Sequence, residues 1–272
     1  MTQTFKEWLK NNYSLAERTV LNYVRVIDRF LSEYNESTPE NINKFITEVT
    51  VSSTTYYAKY AFQYWLRYLG KYDHYKEVKK VKTRPRKKQG CYVPKNKMQE
   101  LINNIDNTTH QYIAFIQYLT GARGGDVLRL SASDIVINDD GSVNLLMTVK
   151  GGNKHTVFLP LKYSFTIAQY IKTVQKKYPF LEYSSDTFRK TVDTNYRYYY
   201  ESIKKSAAQC GIPEFRPHDF RRNFLEEVFE SSGNIRVAQN LAGHKNMEYT
   251  LKYIKSREND KKLRKEIEKI RG

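Results

Sequence analysis

The chain has 272 residues, enough for one large domain or two modest ones that each bury a core. Its 46 lysines and arginines outnumber 29 aspartates and glutamates, giving a formal charge of +17 and a pI near 9.6. A hydrophobic fraction of 40% excludes a disordered chain, and no apolar run approaches the roughly 18 to 20 residues of a membrane span. Met1 to Leu15 contains no apolar signal-peptide core, and two cysteines, Cys91 and Cys210, are too few for a disulfide framework or a metal cage. A soluble, cytoplasmic protein is therefore expected. The positive charge points to a polyanionic partner, because each phosphate neutralised by a cation releases condensed counterions. Charge alone does not separate DNA from RNA or an acidic membrane surface.

Residues 1–77 read as a helical bundle. Ser14-Leu15-Ala16-Glu17 has the form of a capping box, with Tyr13 placed as its hydrophobic staple. Val20, Val24, Ile27, Leu31 and Tyr34 follow at the spacing of one helix face. Thr38-Pro39 marks a second start, and Ile42, Phe45, Ile46 and Val49 supply its apolar side. A third helix is expected from Ser53 to Leu69, ended by Gly70. Its aromatics (Tyr56, Tyr57, Tyr60, Phe62, Tyr64, Trp65 and Tyr68) alternate with Lys59 and Arg67. They suit either a bundle core or a helix turned to DNA, with Lys59 and Arg67 as contacts.

Residues 78–92 change character. Lys79, Lys80, Lys82, Arg84, Arg86, Lys87 and Lys88 surround Pro85 and precede Gly90. Like charges at this density resist packing, so a linker is expected that also straps the phosphate backbone. A second domain is expected over 93–272. Met98–Ile105 and Tyr112–Leu119 read as helices, and Ile135–Ile137 and Val143–Val149 as strands joined at Asp140-Gly141. Lys150-Gly151-Gly152-Asn153-Lys154 is a further turn, Thr156–Leu159 a third strand, and the chain after Lys162 reads as helical to its end. The expected fold class is mainly α with a small antiparallel β-sheet: an α+β domain behind an N-terminal helical bundle.

Four blocks of the second domain concentrate the chemistry. They are Thr120-Gly121-Ala122-Arg123-Gly124-Gly125-Asp126, the turn with Lys150, Pro217-His218-Asp219-Phe220-Arg221-Arg222, and Gly243-His244 with Tyr253 nine residues on. Singly, each reads more simply as a surface cation, a capping histidine or a rim tyrosine; only as an ordered set do they carry weight. Splitting a phosphodiester without metal, the chemistry that the resemblance named below implies, needs cations for the phosphorane, a nucleophile and a proton for the leaving oxygen. Guanidiniums suit the first task, being always charged and matched to two phosphate oxygens.

In this order and spacing the blocks resemble the catalytic signature of tyrosine recombinases, the family of phage integrases and Xer-like site-specific recombinases. The resemblance is closest in the catalytic half and architectural in the first 90 residues, where the family carries a core-binding domain. It implies strand cutting and rejoining through a covalent 3′-phosphotyrosine, without metal, ATP or cofactor. It further implies Arg123 and Arg221 on the phosphate, Tyr253 as nucleophile, His218 as base and His244 as donor to a non-bridging oxygen. Lys150 would be the acid toward the 5′ oxygen, and Asp126 would orient the arginine or histidine. Lys154 also lies in the turn, and which lysine supplies the proton stays open, as does delivery of Tyr253 in cis or in trans. Arg222 stands where the family often has a second histidine; it and Lys154 are further expected DNA contacts. The implied partner is double-stranded DNA carrying a specific site, bound by a homotetramer that is monomeric or dimeric when free, with no membrane. Arg257–Ile270 reads as a helix that packs on its own domain or docks into a neighbouring protomer.

Three other classes fit less well. A metal nuclease needs clustered carboxylates, whereas Asp139-Asp140 beside Gly141 is turn chemistry. A type IB topoisomerase shares the chemistry but not this short two-part layout. An inactive DNA-binding descendant would lack a catalytic group, and every one is present in the sequence.

Overall fold

A computed structural model describes residues 1–48, 54–78, 90–148, 154–244 and 246–254, with 54–56 and 252–254 described by backbone only. The chain divides into two compact units, Met1–Lys87 and Lys88–Gly272.

In the first unit α1 (Thr2–Asn12), α2 (Glu17–Glu33), α3 (Pro39–Glu48) and α4 (Thr54–Tyr68) enclose an aromatic core, followed by a 3₁₀ turn over Tyr72–Lys76. Phe30, Phe45 and Phe62 meet edge-on in all three pairings, at centroid separations of 4.9 to 5.7 Å. That geometry aligns positive ring edges with negative faces. Trp65 is fully buried, and its indole N–H donates to Ser37 Oγ at 2.8 Å.

The expected capping box does not form. α2 begins at Glu17 with Ala16 as its uncapped N-cap, because α1 already occupies residues up to Asn12 and Tyr13–Ala16 become the connection. Tyr13 ends α1 and packs edge-on against Trp8 and Tyr64 instead of stapling α2. The buried face of α2 is also rotated from the expected stripe. Val20, Tyr23, Val26, Ile27 and Phe30 are buried, while Val24, Leu31 and Tyr34 are only partly so. α2 packs against both α1 and α4, which broadens and turns its covered side. Thr38 caps α3 as expected, accepting from Asn41 N, and Gly70 takes a left-handed φ of +68° just past α4. Lys59 and Arg67 are exposed, stacked over Tyr60 and Tyr72 respectively. Val49, Ser53 and the linker cations Lys79, Lys80, Lys82, Arg84, Arg86, Lys87 and Lys88 lie outside the described residues, as does the side chain of Tyr56.

The second unit opens with α5 (Lys95–Asn103), α6 (Thr108–Thr120) and the short α7 (Gly124–Leu128). An antiparallel sheet follows, β1 (Ile135–Ile137), β2 (Val143–Thr148) and β3 (Lys154–Phe158), in that order. The chain then forms α8 (Leu161–Val174), α9 (Phe188–Gln209), α10 (Pro217–Ser232), α11 (Ile235–Ala242) and α12 (Met247–Ile254). One sheet face, Val143, Leu145, Met147 and Val157, is buried in the core, with α8 packed on β2. The β1–β2 turn uses its acid locally: Asp140 Oδ1 accepts from Ser142 N at 2.9 Å and from its hydroxyl at 2.6 Å.

Two expectations shift here. β3 starts at Lys154 rather than Thr156, because Thr148–Lys154 and Met147–His155 extend the ladder toward the hairpin end. The helical run after Lys162 is interrupted between α8 and α9, where the Asn195 side chain accepts from the Glu182 and Tyr183 N–H groups and donates to the Tyr183 carbonyl. Among the described residues no helix is long and apolar enough to cross a membrane.

Both tryptophans, Trp8 and Trp65, belong to the first unit, so their fluorescence follows its unfolding alone. Phe62→Ala empties the centre of the three-ring cluster and should cost that unit about 3–5 kcal/mol in urea titrations. A loss well under 1 kcal/mol would show that the rings are not packed as described.

Candidate active site

Arg123 is placed by a sharp reversal after α6. Gly121 ends the helix at φ +66°, and its N–H donates to Gln117 O at 2.8 Å. A Cβ on Gly121 would lie 2.3 Å from Phe224 Cδ1, so this position admits only glycine on both conformational and steric grounds. Thr120 closes the reversal, donating from Oγ1 to Ile116 O and accepting from Ala122 N. Arg123 then stands as N-cap of α7, its side chain 39% exposed and 3.6 Å from Asp126.

Buried Gln117 ties this loop to the start of α10. Its Nε2 donates to Ala122 O at 2.9 Å and to Pro217 O at 3.3 Å, while its Oε1 accepts from the Tyr199 hydroxyl at 2.5 Å. The sequence reading missed both residues. A polar side chain in the apolar run Tyr112–Leu119 was the one local signal for Gln117; Tyr199 carried none among 23 tyrosines.

Arg221 is the centre of the arrangement. It is 2% exposed on α10, and its guanidinium donates to Gly121 O at 2.7 Å and to Ala242 O at 2.7 Å. Its Nη2 also lies 2.8 Å from His244 Nε2. A guanidinium only donates, so His244 Nε2 accepts and the proton sits on Nδ1, which donates to Thr250 Oγ1 at 2.9 Å. His244 follows Gly243, the left-handed C-cap of α11 at φ +61°, where a Cβ would come within 2.9 Å of the His155 ring. His155, on β3, lies with Nε2 3.3 Å from Leu241 O and so joins the hairpin strand to the fourth block. It too was missed; a histidine beside a turn lysine has no distinctive pattern.

Burial and the field of these cations both act on the titrating groups. Desolvation, then Arg221, Arg123 and His218, lower the His244 pKa to about 4. Desolvation, then Arg221, Arg222 and Arg123, lower that of His218 to about 4 as well. His218 is open to solvent at its edge yet crowded by protein around the ring. Burial raises the Asp126 pKa, against the pull of Arg123, Arg129 and Arg221. Arg123, Asp126, His218, Arg221 and His244 thus share one electrostatic environment.

Other expected residues stand apart. Lys154, still largely exposed, pairs with Asp134 at 2.9 Å at the start of β3, beside the Ser131–Asp134 cap. Arg222 pairs with Asp219 at 3.3 Å and fills the space where a Cβ on Gly90 would sit, on the flank of α10 whose Asn223 holds Cys91 and Val93. Lys150 and Arg257–Ile270 lie outside the described residues, as does the Tyr253 side chain. The backbone of residue 253 lies in α12, which packs on α10 and α11, one helical turn beyond the fully buried Thr250. Among the described residues no cluster of histidine, cysteine and acidic groups is placed to hold a metal ion.

A largely helical unit with this small antiparallel sheet has the fold of a tyrosine recombinase catalytic domain. The sequence pattern of the phage integrase family matches residues 92–260. Tyrosine recombinase XerA of Pyrococcus horikoshii is 24% identical over 262 residues, covering 94% of this chain and 88% of the relative. Among solved structures, a lambda integrase tetramer bound to a Holliday junction is similar with a TM-score of 0.71 at 16% identity, over 95% of this chain and 78% of that one. The Tn1549 transposon integrase in complex with transposon right end DNA has a TM-score of 0.67 at 14% identity, covering 100% and 99%. The chain belongs to the phage integrase family of tyrosine recombinases.

Two outcomes follow from this geometry. Gly243→Ala should cost about 1–2 kcal/mol through its left-handed backbone and its clash with His155. Adding His155→Ala should return the clash component, and full stability of the single variant would contradict the contact. Separately, both histidines titrate lower in the folded chain (about 4) than at the usual 6.5, so the unfolded chain binds more protons between these values. Their contribution is complete above about pH 6.5 and lost as pH falls toward 4. His218→Gln should therefore lose less stability than wild type between pH 7 and pH 5 in denaturation followed by circular dichroism; equal losses would refute the shift.

Proposed function

We propose that this chain is a site-specific DNA recombinase that cleaves and rejoins strands through a covalent 3′-phosphotyrosine at Tyr253. The observation that carries the reading is Arg221: one buried guanidinium is bonded to the Thr-Gly-x-Arg loop and to the Gly-His segment together. Distant blocks of sequence thereby meet around one cation, with Arg123 exposed beside it.

In this reading Arg123 and Arg221 stabilise charge developing on the phosphorane. His218, neutral at physiological pH, takes the phenolic proton of Tyr253, whose own pKa of about 10 leaves it protonated without help. A bound phosphodiester draws the Arg221 N–H away from His244, whose Nε2 then becomes a donor to a non-bridging oxygen. The same negative charge offsets the arginines and raises both histidine pKa values. Lys150 protonates the departing 5′ oxygen; the engagement of Lys154 by Asp134 favours this choice over its neighbour. Asp126 orients Arg123. The covalent link conserves bond energy, so rejoining needs no ATP.

The proposed division is a core-binding domain over 1–77, a basic linker over 78–92 and a catalytic domain over 93–272. Lys59, Arg67 and the linker cations contact the phosphate backbone of double-stranded DNA, and four copies assemble on the site. The tetrameric lambda integrase on a Holliday junction supports that stoichiometry.

A nicked suicide duplex carrying the half-site repeats that flank the gene tests the mechanism. With EDTA present, wild type should form a covalent protein–DNA adduct, and Tyr253→Phe should form none. Arg221→Lys and Arg123→Lys should each cut by about 100-fold or more slower while retaining DNA binding. An adduct from Tyr253→Phe would reassign the nucleophile, and none from wild type would favour a DNA-binding protein without catalysis.

A further inference from the structure

We infer that Thr250 is a positioning residue: its hydroxyl partners His244 Nδ1 whichever way the ring is protonated, and it anchors the helix that carries Tyr253. The inference rests on the recombinase reading above and extends it to a residue outside the four blocks.

Thr250 is fully buried, and its Oγ1 lies 2.9 Å from His244 Nδ1. On the other side of the ring, Arg221 Nη2 donates to Nε2 at 2.8 Å. The imidazole is thus held between a group that only donates and a group that can do either. That difference matters when a phosphate arrives. In the DNA-free arrangement Nε2 accepts from Arg221 and Nδ1–H donates to Thr250. Once Arg221 turns to phosphate, Nε2 must carry a proton to bond a non-bridging oxygen. Either the ring gains a proton and Nδ1–H stays on Thr250, or the ring changes tautomer and the rotated hydroxyl donates to Nδ1. Threonine serves both routes. A carboxylate would hold the ring charged, and an aliphatic group would leave Nδ1 buried without that partner.

Position 250 also lies one turn before 253 along α12, so the two share a strip of that helix. The hydrogen bond therefore joins the nucleophile's helix to the histidine that Arg221 holds. A loss of register there misplaces the attacking group relative to phosphorus, and small misplacements are costly in rate.

Three variants separate these roles: Thr250→Val keeps shape and loses the hydroxyl, Thr250→Ser keeps the hydroxyl, and Thr250→Ala tests the site if the valine variant fails to fold. Single-turnover cleavage of the suicide duplex should slow about ten- to a hundredfold in Thr250→Val, with DNA affinity unchanged, and stay near wild type in Thr250→Ser. In the DNA-free protein, ¹H–¹⁵N imidazole spectra should show a hydrogen-bonded, slowly exchanging Nδ1–H on His244 in wild type and Thr250→Ser, and a fast-exchanging, shifted one in Thr250→Val. Wild-type rate and Nδ1–H signal in Thr250→Val would overturn the inference, as would a serine variant as slow as the valine one. If wild type forms no adduct, the recombinase reading fails, while the DNA-free spectra still decide whether Thr250 holds the ring.

Discussion

A buried positive charge is the constraint on which the catalytic unit depends. Removing a guanidinium from water is costly unless hydrogen bonds replace the lost hydration. Arg221 meets that condition with the carbonyls of Gly121 and Ala242 and the imidazole of His244. The two carbonyls are helix-end groups, which have no partner within their own helices and are open to an outside donor. The end of α6 and the end of α11 are thereby fixed to the same side chain. The charge is held in place before any phosphate binds.

Close approach at two glycines makes this convergence possible. Gly121 faces the Phe224 ring and Gly243 the His155 ring, each at positive φ and each so close that an added Cβ would force the ring to move. The glycines of the first and fourth blocks therefore hold shape rather than chemistry. Gln117 adds a third tie, from the Arg123 loop to the α10 start. Loop, helix and strand are braced from several directions, and the functional side chains inherit that rigidity.

The consequence is an electrostatic site prepared for an anion. Burial first, and then the neighbouring arginines, lower the pKa of both histidines to about 4, so both are neutral at physiological pH. Neutral imidazoles can accept protons; in the proposed function a bound phosphodiester relieves the field that suppresses them and so couples substrate binding to proton readiness, with the reciprocity that such coupling requires.

Much of this was legible from residue order. Thr38-Pro39, the Gly70 stop, the Asp140-Gly141 turn and the three strands depend on local backbone chemistry, and they stand near where the sequence puts them. Helix faces were less legible: α2 is rotated because α1 and α4 cover it from two sides, and Ser14 loses its capping role to the end of α1. By itself the sequence determined the helical and strand segments, the excess of cations and the candidates for the reactive side chains, because propensity, charge and motif spacing are properties of short stretches. Only the tertiary structure decided that Arg221 bonds Gly121 and Ala242, that Lys154 and Arg222 turn to carboxylates, and that Gln117, His155 and Thr250 brace the site. Those contacts mostly join residues far apart in the chain, and their partners are chosen by packing, which no local pattern encodes.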